Sequence, residues 1–535
     1  MSDLWEILTK PAPRNAYASG TTAVLIAPIS FPGANSTSSS SIASNSRPVK
    51  KPYFDSRPVV SWGAGNPISG LAAPAQLSSG INLRPFSHLS FDFFRQPVGS
   101  LQAYGTVYAT SNPSTQTPEL YDDKPNDTDA EEIRVLLYAS PTVDKNVKDN
   151  TLSFVLQCYS QWATVSVFEP RKVACIMRDQ VIDRFSSENS RIQTILIANV
   201  MDIYARNLVL DDAGTYMLNR LALAIQKSMS HFMSTPRALD PALDRQNATL
   251  ILDSVLEIFS LQTRTQPISH CVQSLHCVAP VFRRACPDPP GQAVNLANIM
   301  LESNLNLRHF VHIEVMTSMI TGQPAHIQYE VPFSLELCER MYQVTDSCSL
   351  QWLYGAPDQF IVLFAFINSL CQTPGAGENL GLISWIENIV PQIRVPLDGS
   401  GDSLLRIRRL MNQECWRCTV LIYLYMALCK ASANDPRVVR AHNMFMRLFR
   451  SIQPGRNVDC CFGVSQVVVG VVTIKERDRE MLRQRVLNVQ EWATKGTTGD
   501  HFMLVLEDIW ARTRDERRAA VWSDLGIARL RVTGR

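Results

Sequence analysis

The apolar positions of this 535-residue chain change character near residue 131. From there on they repeat with the 3.6-residue period of amphipathic helices. Val155, Tyr159 and Trp162 share one face, and Pro170 stops that segment. Val173, Met177 and Val181 mark a second helix; Ile192, Leu196, Val200 and Ile203 mark a third. Leu218, Leu221, Ile225 and Met229 predict a fourth, with Pro236 beyond its end, and Ala248, Leu252, Val255 and Phe259 a fifth. Arg283 to Gly291 (RRACPDPPG) is a break, because its prolines exclude helix. One longer helical stretch is then expected through His309 and His312 to Ile320, closed by Gly322 and Pro324.

Asp358 to Cys371 is the clearest single helix. It follows Pro357, stops before Pro374-Gly375, and gathers Phe360, Leu363, Phe364, Ile367 and Cys371 on one face. Met411 to Lys430 (MNQECWRCTVLIYLYMALCK) has no solvent face: between Cys418 and Cys429 only Thr419 is plainly polar. A helix apolar all round belongs inside other elements. Its twelve apolar-rich residues span roughly 18 Å at ~1.5 Å each, too short for a bilayer core of ~30 Å. Asp435-Pro436 then supplies a cap and first-turn proline for a helix through Val438, His442, Phe445, Phe449 and Ile452. Leu482, Val486 and Val489, then Phe502, Val505, Leu506 and Ile509, extend the pattern. Val467 to Ile474 (VVVGVVTI) is β-branched, but a lone strand has no partner, so a buried helix or extended segment is expected. The fold class is therefore all-α: a large multi-helix domain of antiparallel helix hairpins, whose short connections favour that arrangement, over residues 131–535.

Residues 1–130 read as a disordered, linker-like segment. Asn35 to Ser46 (NSTSSSSIASNS) and the surrounding prolines and glycines cannot bury enough apolar surface to offset chain entropy. Leu89 to Phe94 (LSFDFF) is a short apolar island, and Pro118 to Glu132 (PELYDDKPNDTDAEE) an acidic spacer. Arg47 to Pro52 (RPVKKP) is more simply a solvated linker than a nuclear import signal.

Composition is that of a globular protein, 45% hydrophobic and 19% charged, and a net charge of +2 provides no global field for nucleic acid or acidic membrane. The thirteen cysteines sit mostly in apolar segments, consistent with a reducing compartment. No secretory signal opens the sequence and no apolar run is long enough for a membrane span, so an intracellular, soluble protein without membrane contact is expected.

Candidate chemistry is thin. Cys415-Trp416-Arg417-Cys418 is a CxxC without a second half, and both thiols suit a buried helix. His270-Cys271 and His276-Cys277 are six residues apart, which on a helix turns the pairs to different faces. His309, His312 and Glu314 (HFVHIE) read as a polar helix flank. Gly375-Ala376-Gly377 with Gly381 lacks the spacing of a phosphate loop and follows a helix rather than a strand. Asp211-Asp212 and Asp122-Asp123 do not form the paired acidic motifs of helical terpene-cyclising enzymes. Arg512 to Arg518 (RTRDERR) reads as a solvated face, with DNA contact as the alternative. No catalytic, cofactor-binding or metal residue is assigned, DNA-binding residues stay unknown, and no enzyme activity or cofactor is expected.

Gln413 to Cys429 resembles the C-terminal regulatory domain of fungal-specific transcription factors. So do Trp352 to Ile367 (WLYGAPDQFIVLFAFI), Asn304 to Phe310 (NLNLRHF), Asp435 to Ala441 (DPRVVRA), Glu476 to Arg485 (ERDREMLRQR) and Trp510 to Asp524. The similarity runs from about Asn150 onward. It implies a nuclear transcriptional regulator acting through protein partners of the transcription machinery, through a related zinc-cluster factor, or through an effector. The alternative is a non-DNA-binding scaffold or heterodimer partner derived from such a factor. In that family DNA is read by an N-terminal binuclear zinc cluster on six cysteines, in two Cys-x2-Cys-x6-Cys halves. Here the first cysteine is Cys158. The expectation is that the cluster has been lost or lies upstream of this sequence, with DNA a partner only in the second case. A homo- or heterodimer is left open, since no long heptad run with charged flanks appears.

Overall fold

A computed structural model describes residues 151–534, apart from 186–187, 303, 345–348 and 397–402. The serine-rich stretch, the basic cluster at 47–52, the island at 89–94, the acidic spacer with Asp122-Asp123 and the boundary at 130/131 all lie outside these residues. The described residues belong to one compact unit and are almost entirely helical.

The first six helices are α1 (Thr151–Ser166), α2 (Pro170–Arg184), α3 (Glu188–Asn207), α4 (Asp212–Ser234), α5 (Pro241–Thr265) and α6 (Ile268–Ala285). Then come α7 (Leu296–Leu301), α8 (Leu305–Thr321), α9 (Leu335–Val344), the single turn α10 (Gln351–Tyr354), α11 (Asp358–Cys371) and α12 (Leu380–Ile389). The last group is α13 (Ser403–Tyr423), α14 (Pro436–Ser451), α15 (Arg456–Cys461), α16 (Gly463–Val471), α17 (Glu476–Leu487), α18 (Gln490–Ala493), α19 (Thr498–Asp515) and α20 (Ser523–Thr533). The two-residue strands β1 (Val294–Asn295) and β2 (Tyr329–Glu330) pair in parallel on either side of α7 and α8.

Local chemistry sets the boundaries. Asp211, Asn304, Asn379, Asp435 and Thr497 each accept a hydrogen bond from a first-turn amide of the helix they precede. Pro170, Pro241 and Pro436 occupy first-turn positions, where a missing N–H is harmless. The expected single stretch through His309 is two helices: α7 stops at Leu301, and Asn304 restarts the chain as the cap of α8. Val467 to Ile474 is mostly the buried helix α16, with Val472, Thr473 and Ile474 beyond its end.

Two helices share the centre. In α8 every residue from Val311 to Thr321 is buried. In α13 and its continuation the burial runs from Val420 through Leu428 with only Leu421 partly open. The apolar Met411–Lys430 stretch is not α-helical to its end, because Leu424–Leu428 widens into a π-helix. There the Cys429 amide donates to the Leu424 carbonyl at 3.1 Å. Lys430 then turns left-handed (φ 53°) and its Nζ donates to the Ala427 carbonyl at 2.7 Å. Gly377 lies against this end: a Cβ there would sit 2.2 Å from the Leu428 carbonyl oxygen, so only glycine fits.

The aromatic packing joins these centres. Phe364 of α11 meets Trp416 and Tyr423 of α13 edge-on at 6.1 and 5.7 Å. Phe445 and Phe449 of α14 pack with Phe462. Arg485 of α17 donates to buried Asp459 at 2.8 Å and to the Phe449 and Ile452 carbonyls that end α14. That arginine satisfies carbonyls which the helix end leaves unpaired.

Candidate functional site

The residues singled out in the sequence do not converge on one site. Cys415 and Cys418 are both buried on α13, and burial pushes both thiols above their ordinary range. Among the described residues no three His, Cys, Asp or Glu side chains come together as a metal site. Cys271 is buried against Thr498, with 3.8 Å between Sγ and Oγ1, while His270 and His276 are both exposed. Asp211 is the cap of α4, and Gly375 to Gly377 form a tight turn.

One reading is corrected. His309, His312 and Glu314 are not a polar flank. His312 is 3% exposed and stacks on Tyr354 at 4.6 Å, and His309 shares a hydrogen bond with the Tyr354 hydroxyl. Burial lowers the His309 and His312 pKa values to about 4 and about 3, so both rings are neutral near pH 7. Glu314 is buried too, accepting the His326 and Ile327 amides at 2.7 and 3.1 Å and the Tyr329 hydroxyl. Arg514 to Arg518 form the solvated face expected of Arg512 to Arg518, while Thr513 is buried and Arg512 partly so. Arg512 and Arg518 also donate to Asp524, which is 1% exposed, at 2.6 Å each.

A cavity of about 120 Å³ lies between α1, α2, α5, α8 and α10. Val173, Met177, Val181 and Arg184 stand at three- and four-residue steps along α2 and line its wall. Trp162 of α1, Leu256 of α5, Leu305 of α8 and Leu353 of α10 continue the apolar lining. His309 and Ser260 reach it from α8 and α5.

One corner is ionic. Arg184 donates through Nε to Asp253 Oδ2 at 3.0 Å and through Nη1 to Glu257 Oε1 at 2.6 Å. The Tyr159 hydroxyl donates to the same Oε1. Asp253 and Glu257 are one helical turn apart on α5, which lets a single guanidinium meet both. Burial pushes the Glu257 carboxyl up, against the pull of Arg184. Burial opposes the Arg184 charge, but Glu257, Tyr159 and Asp253 hold its pKa above the ordinary value. The corner thus combines a fixed cation, two carboxylates and a phenol beside apolar walls, the usual make-up of a small-molecule site.

Residues 301–530 match the family model described as the fungal specific transcription factor domain. The match covers less than half of the chain. No curated protein and no solved structure matches the chain. The similarity supports a transcriptional regulatory role and, in general, a nuclear location; the matched family is a regulatory-domain family rather than an enzyme class. Within the matched region lie α8, α10 and the helices that follow. Helices α1 to α6 precede the matched region, so only part of the cavity wall belongs to it. No described helix is long and apolar enough to cross a membrane.

Nothing in the sequence marked this cavity. The one available signal was the i, i+4 pair Asp253 and Glu257 on the otherwise apolar face of α5. An acidic pair bordering Leu252, Leu256 and Phe259 needs a buried cation or a ligand beside it.

Proposed function

We propose that the chain regulates transcription through an effector seated in the cavity between α1, α2, α5 and α8. Occupancy would then change how the helical domain meets protein partners, including a related zinc-cluster factor. The observation that supports this reading is the ionic corner of Arg184, Asp253, Glu257 and Tyr159 beside an otherwise apolar cavity. A ligand there touches helices on both sides of residue 301, and differential contact with two packed segments is what allosteric coupling requires.

The test fills the cavity. Met177→Trp and Ile176→Trp place an indole where a ligand would sit, at positions that are only partly buried. The full chain, fused to a heterologous DNA-binding module, drives a reporter. Either variant is expected to change reporter output by about fivefold or more while retaining the wild-type melting profile. Two well-folded variants with unchanged output would remove the cavity from the regulatory mechanism.

A further inference from the structure

We propose that the cavity binds a compact apolar amine, its ammonium group held by Asp253 and Glu257 and its hydrocarbon body by the α2 wall. This rests on the effector reading above and names the ligand class.

The first observation is the distribution of hydrogen bonds. Arg184 and Tyr159 direct all their bonds to one oxygen of each carboxylate, Asp253 Oδ2 and Glu257 Oε1. Asp253 Oδ1 and Glu257 Oε2 receive none among the described residues. Both side chains line the cavity, and both are mostly buried, at 23% and 11% exposure. These two oxygens are acceptors left open beside the cavity, and a primary ammonium brings three donors to meet them.

The second observation is the charge balance. Arg184 is the single formal cation in the lining, against two carboxylates. His309, the other basic group, is kept neutral by burial. Arg264, deeper in, is engaged by the Ser166 carbonyl and by Glu491. Lys172 stands over the Trp352 ring, 5.4 Å from its centroid. At formal charges the described lining therefore carries one negative charge more than its cation balances. An anionic ligand would add a second, while a cation neutralises the first.

The third is the wall. Trp162 is 6% exposed, lines the cavity, and its indole Nε1–H has no partner. With Tyr159 and Trp352 it provides aromatic faces that favour a cation. A cavity of about 120 Å³ approaches the ~150 Å³ engineered cavity that accepts benzene. One six-membered ring or a short branched alkyl group carrying an amine fills it.

The probes are benzylamine and cyclohexylamine, with benzyl alcohol as the neutral and benzoate as the anionic counterpart. They are titrated calorimetrically into the full chain at pH 7. Both amines are expected to bind saturably, about tenfold or more tighter than the alcohol, with benzoate excluded. Glu257→Gln and Asp253→Asn should each weaken amine binding about tenfold or more, and Met177→Trp should abolish it. Amines no tighter than the alcohol, or wild-type affinity in both carboxamide variants, would overturn the proposal. Binding of the alcohol or benzoate instead would overturn the amine class and leave the effector reading standing. Silence from every probe also overturns the amine class, and the Met177→Trp reporter result then decides separately whether the cavity regulates at all.

Discussion

Asp524 shows how much of this fold rests on single charges turned inward. It sits in the first turn of α20, where the helix dipole favours an anion. Burial works against its charge, but Arg518, the Val521 amide and Arg512 outweigh that and hold its pKa down at about 2. The unfolded chain would titrate near 3.9. Because the folded value is the lower one, the stabilisation is complete above pH ~4 and disappears as pH falls toward 2. Asp524→Asn is expected to cost about 1–2 kcal/mol at pH 7, after allowing for the solvent that reaches Arg518. It should also flatten the acid limb of the stability curve. Urea midpoints that agree between variant and wild type at pH 7 would show that the cluster contributes nothing. Polar residue type misleads at this scale. His309 and His312 look like surface residues until Tyr354, 45 positions from His309, is brought against them. The cavity is hidden for the same reason, since Tyr159 and Glu257 are 98 residues apart in sequence.

The elements themselves were largely legible where caps and periodicity agreed. Asp358–Cys371 has the boundaries that Pro357 and Pro374 dictate, and the fourth and fifth helices bury the residues their stripes named. Asp435 is a further case, its carboxylate accepting the Arg437 amide at 2.8 Å at the head of α14. Asp435→Ala should cost about 1 kcal/mol and speed amide exchange at Arg437 and Val438 more than at Phe445. Equal protection in variant and wild type would count against the cap. Departures occur where tertiary contact overrides local pattern. The π-helix at Leu424–Leu428 ends against Gly377, a neighbour that the apolar run does not reveal. α6 was not marked as a helix. Its stripe of Ile268, Cys271, Leu275, Val278 and Phe282 was readable, but Pro280 and the following proline cluster disguised it.

At the scale of the whole molecule, the matched region and the helices before it share their interior. Tyr204 and Arg264, from before residue 301, meet Glu491 and Arg456, from after it. Such shared burial makes separate folding of the two parts costly. Denaturation followed by circular dichroism and by tryptophan fluorescence should therefore give one coincident transition. Two resolved transitions would mean that the segments are independent. The packing of α20 against α8 has a further consequence. Leu525 and Ala528 are buried, Gly526 lies beside Gly322, and Arg529 donates to the Thr321 carbonyl, 208 residues earlier. At ~5–20 residues per second, a ribosome completes α8 roughly ten to forty seconds before it releases the helix that covers it. During that interval the C-terminal end of α8, at Thr321 and Gly322, lacks the helix that packs on it in the folded chain.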